Sequence, residues 1–239
     1  MAGSSSAPDA YSGVDALVAR FKLTADQGLR LRRYATVLSE DARAPTTVRE
    51  PQRVIHDHLA DSLVALTLPA VRAAKRVLDI GAGAGLPGVV LAVALPTAHV
   101  TLLEGSVRKC DFLSSTVSAL DLTNVQVAHT RVESWDAGLG EMDVVTARAL
   151  APLAVVCEYA APPLRLGGTL VAWRGRRDPE AERAALVACD ILGLVAEQPL
   201  QVHPYVAAKH RHLHVMTKVR ETPAGFPRRP GMAVKRPLA

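Results

Sequence analysis

The stretch LDIGAGAGLPG, residues 78–88, decides the fold, because an apolar run ends in an aspartate and four glycines follow. It joins RVLDIG (76–81), which is typical of a buried strand, to PGVVLAVAL (87–95), which is typical of a helix that begins with proline. A glycine-rich turn between a strand and a helix lets the backbone approach a nucleotide-like ligand closely. The last three glycines also have the spacing G-x-G-x-x-G of the dinucleotide fingerprint.

Strand and helix patterns alternate from Lys75 to residue 219. Further strands are predicted at 99–104, 125–132, 142–149, 167–175, 194–202 and 211–219. This alternation predicts an α/β fold with a doubly wound, mainly parallel sheet of seven strands and helices on both faces. Helix patterns at 14–21, 24–38 and 51–66 precede the sheet and predict an N-terminal helical cap.

We therefore divide the chain into four segments, which are a disordered N-terminus (1–12), the helical cap (13–72), a Rossmann-like domain (73–219) and a basic, Pro/Gly-rich extended tail (220–239). The net charge of +5 is concentrated at the C-terminal end. Residues 201–239 carry eight Lys or Arg against one Glu, a net charge of +7, which leaves −2 for the rest of the chain. Such a basic end indicates a polyanionic partner, with a merely solvated tail as the alternative.

Composition excludes other classes of protein. Three widely spaced cysteines without a C-x-x-C motif suggest neither a disulfide framework nor a metal site, which fits a reducing cytoplasm. No signal peptide is recognisable in the first residues. Residues 80–103 contain no charged residue, but glycines and prolines interrupt this run and no membrane span is expected.

Two ligands fit the glycine loop, a nicotinamide dinucleotide and S-adenosylmethionine. The carboxylate of Asp79 would repel the pyrophosphate of the dinucleotide and attract the ammonium and sulfonium of S-adenosylmethionine. Glu104 ends the next predicted strand, 23 residues after Gly81, where an acid can accept hydrogen bonds from a ribose. Glu104 suits both ligands, whereas Asp79 favours S-adenosylmethionine.

Residues at the ends of the later strands are further candidates for ligand contacts. Val132 and Glu133 follow the third strand, in the loop that commonly lies beside an adenine ring. Arg148 stands at the end of the fourth strand, where a buried charge needs either an ion-pair partner or the mouth of a pocket. No N/D-P-P-Y/F motif follows this strand and no cysteine pair is placed for attack on a base carbon, which argues against methylation of an exocyclic amine or a base carbon.

Several motifs together resemble those of the bacterial 16S ribosomal RNA guanine-N7 methyltransferases, the RsmG/GidB family. They span nearly the whole chain and are HLADSL (58–63), DIGAGAGLPG (79–88), RKCDFL (108–113), RVE (131–133), VTARA (145–149), GGTLVAWRG (167–175), RHLHV (211–215) and FPRRPGMAVKRPL (226–238). The resemblance implies a class I S-adenosylmethionine-dependent methyltransferase fold. It also implies that the target is one guanine in the conserved 530 loop of 16S rRNA.

The resemblance implies a set of S-adenosylmethionine contacts, which together with the loop residues comprises Asp79, Gly81, Gly83, Gly85, Leu86, Glu104, Gly105, Ser106, Val132, Glu133 and Arg148. Guanine N7 carries a free lone pair, so we expect no obligatory catalytic base, and Arg148 would position either the methionine carboxylate or guanine O6. Two departures from the family pattern concern RNA docking. Ala44-Pro45-Thr46 stands where N-L-T is usual, and Arg174-Gly175 where K-G is usual.

The expected RNA contacts are basic residues near the C-terminal end, namely Lys209, Arg211, Arg228, Arg229, Lys235 and Arg236. Neutralising the last four is expected to weaken RNA binding and leave S-adenosylmethionine affinity unchanged. His58 and Asp61 would either close the pocket or form a local network at a helix N-terminus, and we favour the local network.

The partner would be naked 16S rRNA, an assembly intermediate or the 30S subunit, and the enzyme a cytoplasmic monomer. Three alternatives remain open on these residues: a methyltransferase of another nucleic acid or a small molecule, a nicotinamide oxidoreductase, and a non-catalytic RNA-binding assembly factor.

Overall fold

A computed structural model describes residues 11–239 of the chain. Residues 1–10, most of the segment predicted to be disordered, lie outside the described part. The helices are α1 (Gly13–Phe21), α2 (Ala25–Glu40), α3 (Pro51–Arg53), α4 (Asp61–Leu63), α5 (Pro69–Ala73), α6 (Gly88–Ala94), α7 (Val107–Ala119), α8 (Leu153–Ala160), α9 (Pro179–Leu192) and α10 (Met232–Lys235). The strands are β1 (Arg76–Ile80), β2 (His99–Glu104), β3 (Val125–His129), β4 (Met142–Arg148), β5 (Leu164–Arg174), β6 (Leu194–Ala196), β7 (Leu200–Gln201) and β8 (His212–Lys218).

The strands form one sheet in the order β3-β2-β1-β4-β5-β8-β6. Strands β1 to β5 are parallel, and β8 is antiparallel to both β5 and β6. This confirms the expected α/β class and its mainly parallel sheet. The segment predicted as one closing strand, 194–202, contains two strands, because both β6 and the short β7 pair with β8.

Two apolar layers cover the sheet. On one face, α6 and α7 pack together with α1, α2 and the continuous helical segment from α3 to α4. The N-terminal helices therefore share a core with the sheet. On the other face, α8, α9 and α10 form the second core. The strand order reverses between β1 and β4, and a ligand crevice is expected at the carboxyl ends of these strands.

Local sequence explains how the N-terminal helices begin and where they reach. Thr24 and Gln27 form the capping box predicted by their spacing, with each side chain bonded to the backbone of the other residue. From α2, the buried Tyr34 donates a hydrogen bond of 2.5 Å to the carbonyl of Ala84, inside the glycine loop. This hydrogen bond attaches the glycine loop to helix α2.

The C-terminal residues 220–239 differ from the extended tail expected from their proline and glycine content. They contain α10, whose Ala233 is 1% exposed, and Phe226 and Leu238 pack against the second core. Apolar side chains within the basic segment therefore attach it to the domain. No helix among residues 11–239 is both long enough and apolar enough to cross a membrane.

Candidate active site

A cavity of about 330 Å³ opens at the carboxyl ends of β1, β2 and β4, where the strand order predicts a ligand. We call it the first cavity. Its walls come from the ends of these strands and from the loops and helices that follow them. The lining residues are Ile80, Gly81, Leu103, Glu104, Gly105, Lys109, Thr130, Arg131, Val132, Glu133, Ala149, Leu150 and Tyr159.

The four glycines that follow β1 have different reasons to lack a side chain. A Cβ at Gly85 would lie 2.5 Å from Val89, and one at Gly88 would lie 2.3 Å from Leu102, so these two are required by packing within the protein. A Cβ at Gly81 would lie 2.5 Å from the side-chain end of Leu150. Gly83 has a φ of +57° and no neighbour nearer than 3.7 Å. Space for a ligand therefore remains above Gly83.

Glu104 connects the glycine loop to the first cavity. Its carboxylate accepts hydrogen bonds of 3.0 Å from the backbone N–H of Gly83 and from that of Ser106. The Nζ atom of Lys109 lies 3.8 Å from the same carboxylate. The side chain is 8% exposed and lines the cavity, so it is held in place with its remaining lone pairs available to hydroxyl donors.

Asp79 does not reach the first cavity. It is 1% exposed, and its two carboxylate oxygens accept hydrogen bonds from Thr146 Oγ1 at 2.7 Å and from the Gly88 N–H at 2.9 Å. Burial raises its pKa to about 7, against the effect of these hydrogen bonds. The structure therefore corrects the expected direct contact with a cationic ligand, because Asp79 instead fixes the start of α6 against β4.

Val132 and Glu133 line the opposite side of the first cavity, in a short 3₁₀ turn after β3. The carboxylate of Glu133 accepts a hydrogen bond of 2.9 Å from the N–H of Gly231, in the C-terminal segment. Burial, together with Glu133, raises the pKa of the neighbouring Tyr159 to about 12. This wall of the cavity thus includes a residue that the C-terminal segment holds directly.

A second cavity of about 250 Å³ adjoins the first. Ala149 lines both of them and has a φ of +52°, a backbone conformation that costs energy for a residue with a Cβ. The other residues of the second cavity are Asp61, Arg148, Trp173, Arg174, Gly175 and Arg211. Two ligand groups bound in these cavities would meet at Ala149.

Arg148 faces the second cavity and not the first. Its guanidinium forms an ion pair of 3.0 Å with Asp61, whose side chain is 5% exposed, and lies 3.1 Å from Nδ1 of His58. Arg211 lies 3.3 Å from the other oxygen of Asp61. The expected local network of His58 and Asp61 is therefore wrong, because both side chains reach across to the end of β4.

His58 is neutral near pH 7. Burial, together with the positive charge of Arg148, lowers its pKa to about 4. Its Nε2 atom lies 2.8 Å from the hydroxyl of Thr46, so one departure from the family pattern, Ala44-Pro45-Thr46, contacts this network. The other departure, Arg174, donates a hydrogen bond of 2.6 Å to the carbonyl of Ala151.

Of the residues expected to contact the cofactor, five line the first cavity, namely Gly81, Glu104, Gly105, Val132 and Glu133. Gly83 and Ser106 hold Glu104 through their N–H groups, and Gly85 and Leu86 lie further along the loop. Thr130, Leu150 and Tyr159 were not identified from the sequence. Of these three residues, Thr130 could have been found from the sequence, because it lies near the carboxyl end of a predicted strand.

The basic residues expected to contact RNA separate into paired and exposed groups. Arg228 forms a two-bond ion pair with Glu158, whose side chain is 3% exposed, and Arg211 pairs with Asp61. The side chains of Lys209, Arg229, Lys235 and Arg236 are exposed, and among residues 11–239 no ion pair engages them. Within the same residues, no group of three or more His, Cys, Asp or Glu is placed to hold a metal ion.

The sequence model of a family described as "rRNA small subunit methyltransferase G" (GidB) matches residues 29–213. A protein named ribosomal RNA small subunit methyltransferase G from Rubrobacter xylanophilus is 39% identical over 224 residues, which cover 91% of this chain and 86% of the relative. One of the same name from Chloroflexus aggregans is 38% identical over 223 residues, which cover 90% and 92%.

Solved structures of low sequence identity share the fold. Geranyl diphosphate C-methyltransferase from Streptomyces coelicolor, solved with S-adenosyl-L-homocysteine, has a TM-score of 0.58 at 13% identity, over 82% of this chain and 98% of that one. An S-adenosylmethionine-dependent O-methyltransferase from Thermotoga maritima has a TM-score of 0.56 at 15% identity, over 80% and 72%. At such identities the likeness concerns the fold alone.

Proposed function

This chain belongs to the rRNA small subunit methyltransferase G family, and we propose that it methylates N7 of a single guanine in the 530 loop of 16S rRNA. The protein is an S-adenosylmethionine-dependent rRNA methyltransferase. The observation that carries the proposal is that Ala149 lines both cavities, one with the residues of an adenosine site and one with the half-buried Arg148. A methyl donor in the first cavity would therefore adjoin a base in the second.

We assign S-adenosylmethionine to the first cavity, where it supplies an electrophilic methyl group. Glu104 would accept hydrogen bonds from the two ribose hydroxyls, because its carboxylate is fixed by two backbone N–H groups and still faces the cavity. The open space above Gly83 would admit the ligand next to the backbone. Val132 and Glu133 would flank the adenine ring.

We assign the target guanine to the second cavity. Arg148 would position the base through guanine O6 and not bind the methionine carboxylate, since it lines the second cavity and not the first. N7 attacks with its own lone pair, so no side chain needs to remove a proton before transfer. Neutral His58 is consistent with this, since its role would be to orient Arg148.

Methylation at N7 leaves a positive charge on the purine ring. Asp61 is the acid among the residues that line the second cavity, and its carboxylate is 5% exposed. A carboxylate in a site of low dielectric constant stabilises a nearby cation that develops during reaction. Arg148 and Arg211 keep this carboxylate in place before the base arrives.

We further propose that the substrate is 16S rRNA, either naked, in an assembly intermediate or in the 30S subunit, bound in part by Lys209, Arg229, Lys235 and Arg236. The enzyme would act in the cytoplasm, where ribosomal subunits are assembled. We also propose that it acts as a monomer.

The test is methylation with labelled S-adenosylmethionine of naked 16S rRNA and of 30S subunits, both from cells that lack the modification. Borohydride and aniline then cleave the RNA at N7-methylguanine. We expect one cleavage in the 530 loop, in one or both RNA forms, and none with a Glu104→Ala variant. Label at another atom or another RNA would refute the proposed target.

A further inference from the structure

A third cavity of about 490 Å³ lies beside the second one, between the loop that follows β4 and the loop that follows β5. Arg174 and Gly175 line both, so the two cavities adjoin. Pro152, Leu153 and Ala181 give the third cavity apolar walls, and its volume lies within the range of small-molecule sites. Neither the cofactor nor the target base, as assigned above, uses this space.

Asp178 and Glu182 also line the third cavity, but Asp178 caps the start of α9 and Glu182 pairs with Arg177. His214 is the polar group that marks the cavity as a binding site. Its side chain projects from β8 into the cavity and the residue is 4% exposed. Among residues 11–239 no hydrogen bond engages its ring, and its Nε2 atom lies 3.9 Å from Glu182, beyond hydrogen-bond distance. Burial lowers its pKa to about 4. The neutral ring therefore has one donor and one acceptor nitrogen, neither of them hydrogen-bonded within these residues.

Two arginines could contact a nucleotide bound in the third cavity, one at its base and one at its phosphate. Arg174 lines the cavity and donates a hydrogen bond to the carbonyl of Ala151, and arginine is a side chain on which bases stack. Arg176 is exposed at the rim, and no ion pair within the described part of the chain engages it. It is therefore available to a phosphate.

We propose that the third cavity binds the base of the nucleotide next to the target guanine, with His214 hydrogen-bonded to the edge of that base. This inference rests on the proposed function, because it takes the second cavity as the guanine site. Apolar walls clamp the flanking base, and Arg176 contacts its phosphate. Binding of two adjacent bases in adjoining cavities would select the target guanine from others in the loop.

The experiment measures kcat/KM on the RNA form that accepts the methyl group, with either neighbour of the target guanine changed to each other base. For the wild-type enzyme we expect changes at one of the two positions to lower kcat/KM about tenfold, the worth of one hydrogen bond. His214→Phe should lower kcat/KM about tenfold on natural RNA and respond equally to all bases at that position. His214→Gln, which keeps a donor and an acceptor, should retain most of the preference.

Arg176→Ala provides a variant that does not depend on the core of the sheet. We expect it to raise KM for RNA severalfold and to reduce the salt dependence of binding by about one phosphate contact. Arg183→Ala is the matched control, since Arg183 is an exposed arginine of α9 outside the cavity. Both variants should keep wild-type S-adenosylmethionine affinity.

Equal effects of the flanking bases on wild type and on His214→Phe would overturn the inference while methylation of the guanine continued. Loss of turnover in His214→Gln with unchanged RNA affinity would also overturn it, because the target guanine itself would then occupy the third cavity. Absence of N7-methylguanine with the wild-type enzyme would instead contradict the proposed function.

Discussion

Replacing Asp79 with asparagine should stabilise the protein above neutral pH. The carboxyl group is 1% exposed, and burial raises its pKa to about 7. In an unfolded chain the pKa of aspartate is about 3.9. The folded protein therefore holds this proton more tightly than the unfolded chain, and the associated stability, complete below pH 4, is lost as pH rises through 7.

The magnitude follows from the two pKa values. The folded value of about 7 lies about 3 pH units above the unfolded value, which corresponds to a total loss of about 4 kcal/mol, more than half of it between pH 5 and pH 8. Asparagine has no charge to lose. Its amide oxygen can accept from Gly88 N–H, and its nitrogen can donate to Thr146, whose hydroxyl lies 3.4 Å from the carbonyl of Leu78.

Urea unfolding of wild type and Asp79→Asn at pH 5, 6, 7 and 8 measures this difference. We expect the variant to gain roughly 2 to 3 kcal/mol relative to wild type from pH 5 to pH 8. Asp143→Asn is the control, because hydrogen bonds from Arg165, Lys75 and Arg76 lower the pKa of Asp143, and its contribution does not change in this range. A difference for Asp79→Asn that stayed constant with pH would refute the buried, proton-binding carboxyl.

Three further predictions concern the cofactor site, the base site and the C-terminal segment. Glu104→Gln should weaken S-adenosylmethionine binding about 10- to 100-fold by calorimetry, because hydrogen bonds to a charged acceptor are worth about 1.5–3 kcal/mol, and an unchanged Kd would remove Glu104 from the site. Arg148→Lys should lower kcat at least tenfold with S-adenosylmethionine Kd within twofold of wild type, whereas a parallel loss of Kd would return Arg148 to the first cavity. Arg228→Ala should lower the free energy of unfolding by about 2–3 kcal/mol in urea, since it leaves Glu158 buried without its partner. Arg229→Ala should leave stability unchanged and reduce the salt dependence of RNA binding, and equal stability losses in both variants would contradict the distinction between paired and exposed arginines.

Local sequence patterns were sufficient to predict the fold, because each strand and helix is indicated by residues that are close together in the sequence. The alternation of strands and helices predicted the sheet, and strand ends brought Gly81 and Glu104 to one edge. Glu104 could be identified because parallel strands place their carboxyl ends together. No comparable rule gives the direction of a side chain, and Asp79 therefore looked like a ligand contact although it points into the protein.

Pairs that meet only in the folded protein could not be predicted. Arg148 approaches His58 across 90 positions of sequence, and Trp173 donates a hydrogen bond of 2.7 Å to the Asp61 carbonyl across 112. Their spacing carries no periodic signal that would connect them. The second cavity, which these pairs enclose, is thus a property of how the N-terminal helices pack against the sheet.

The C-terminal segment shows why charge alone is an incomplete guide to RNA contacts. Composition predicted one basic tail, but its arginines do two different things. Arg228 anchors the segment to Glu158 on α8, while the N–H of Gly231 holds Glu133 in the wall of the first cavity. The exposed Arg229 lies between these two anchors and is therefore carried at a fixed place near the cofactor site. Neutralising Arg228 together with the exposed cations would therefore disturb the position of Glu133 as well as RNA binding. The sequence suggested that the C-terminal segment and the cofactor site are independent, whereas these contacts couple them.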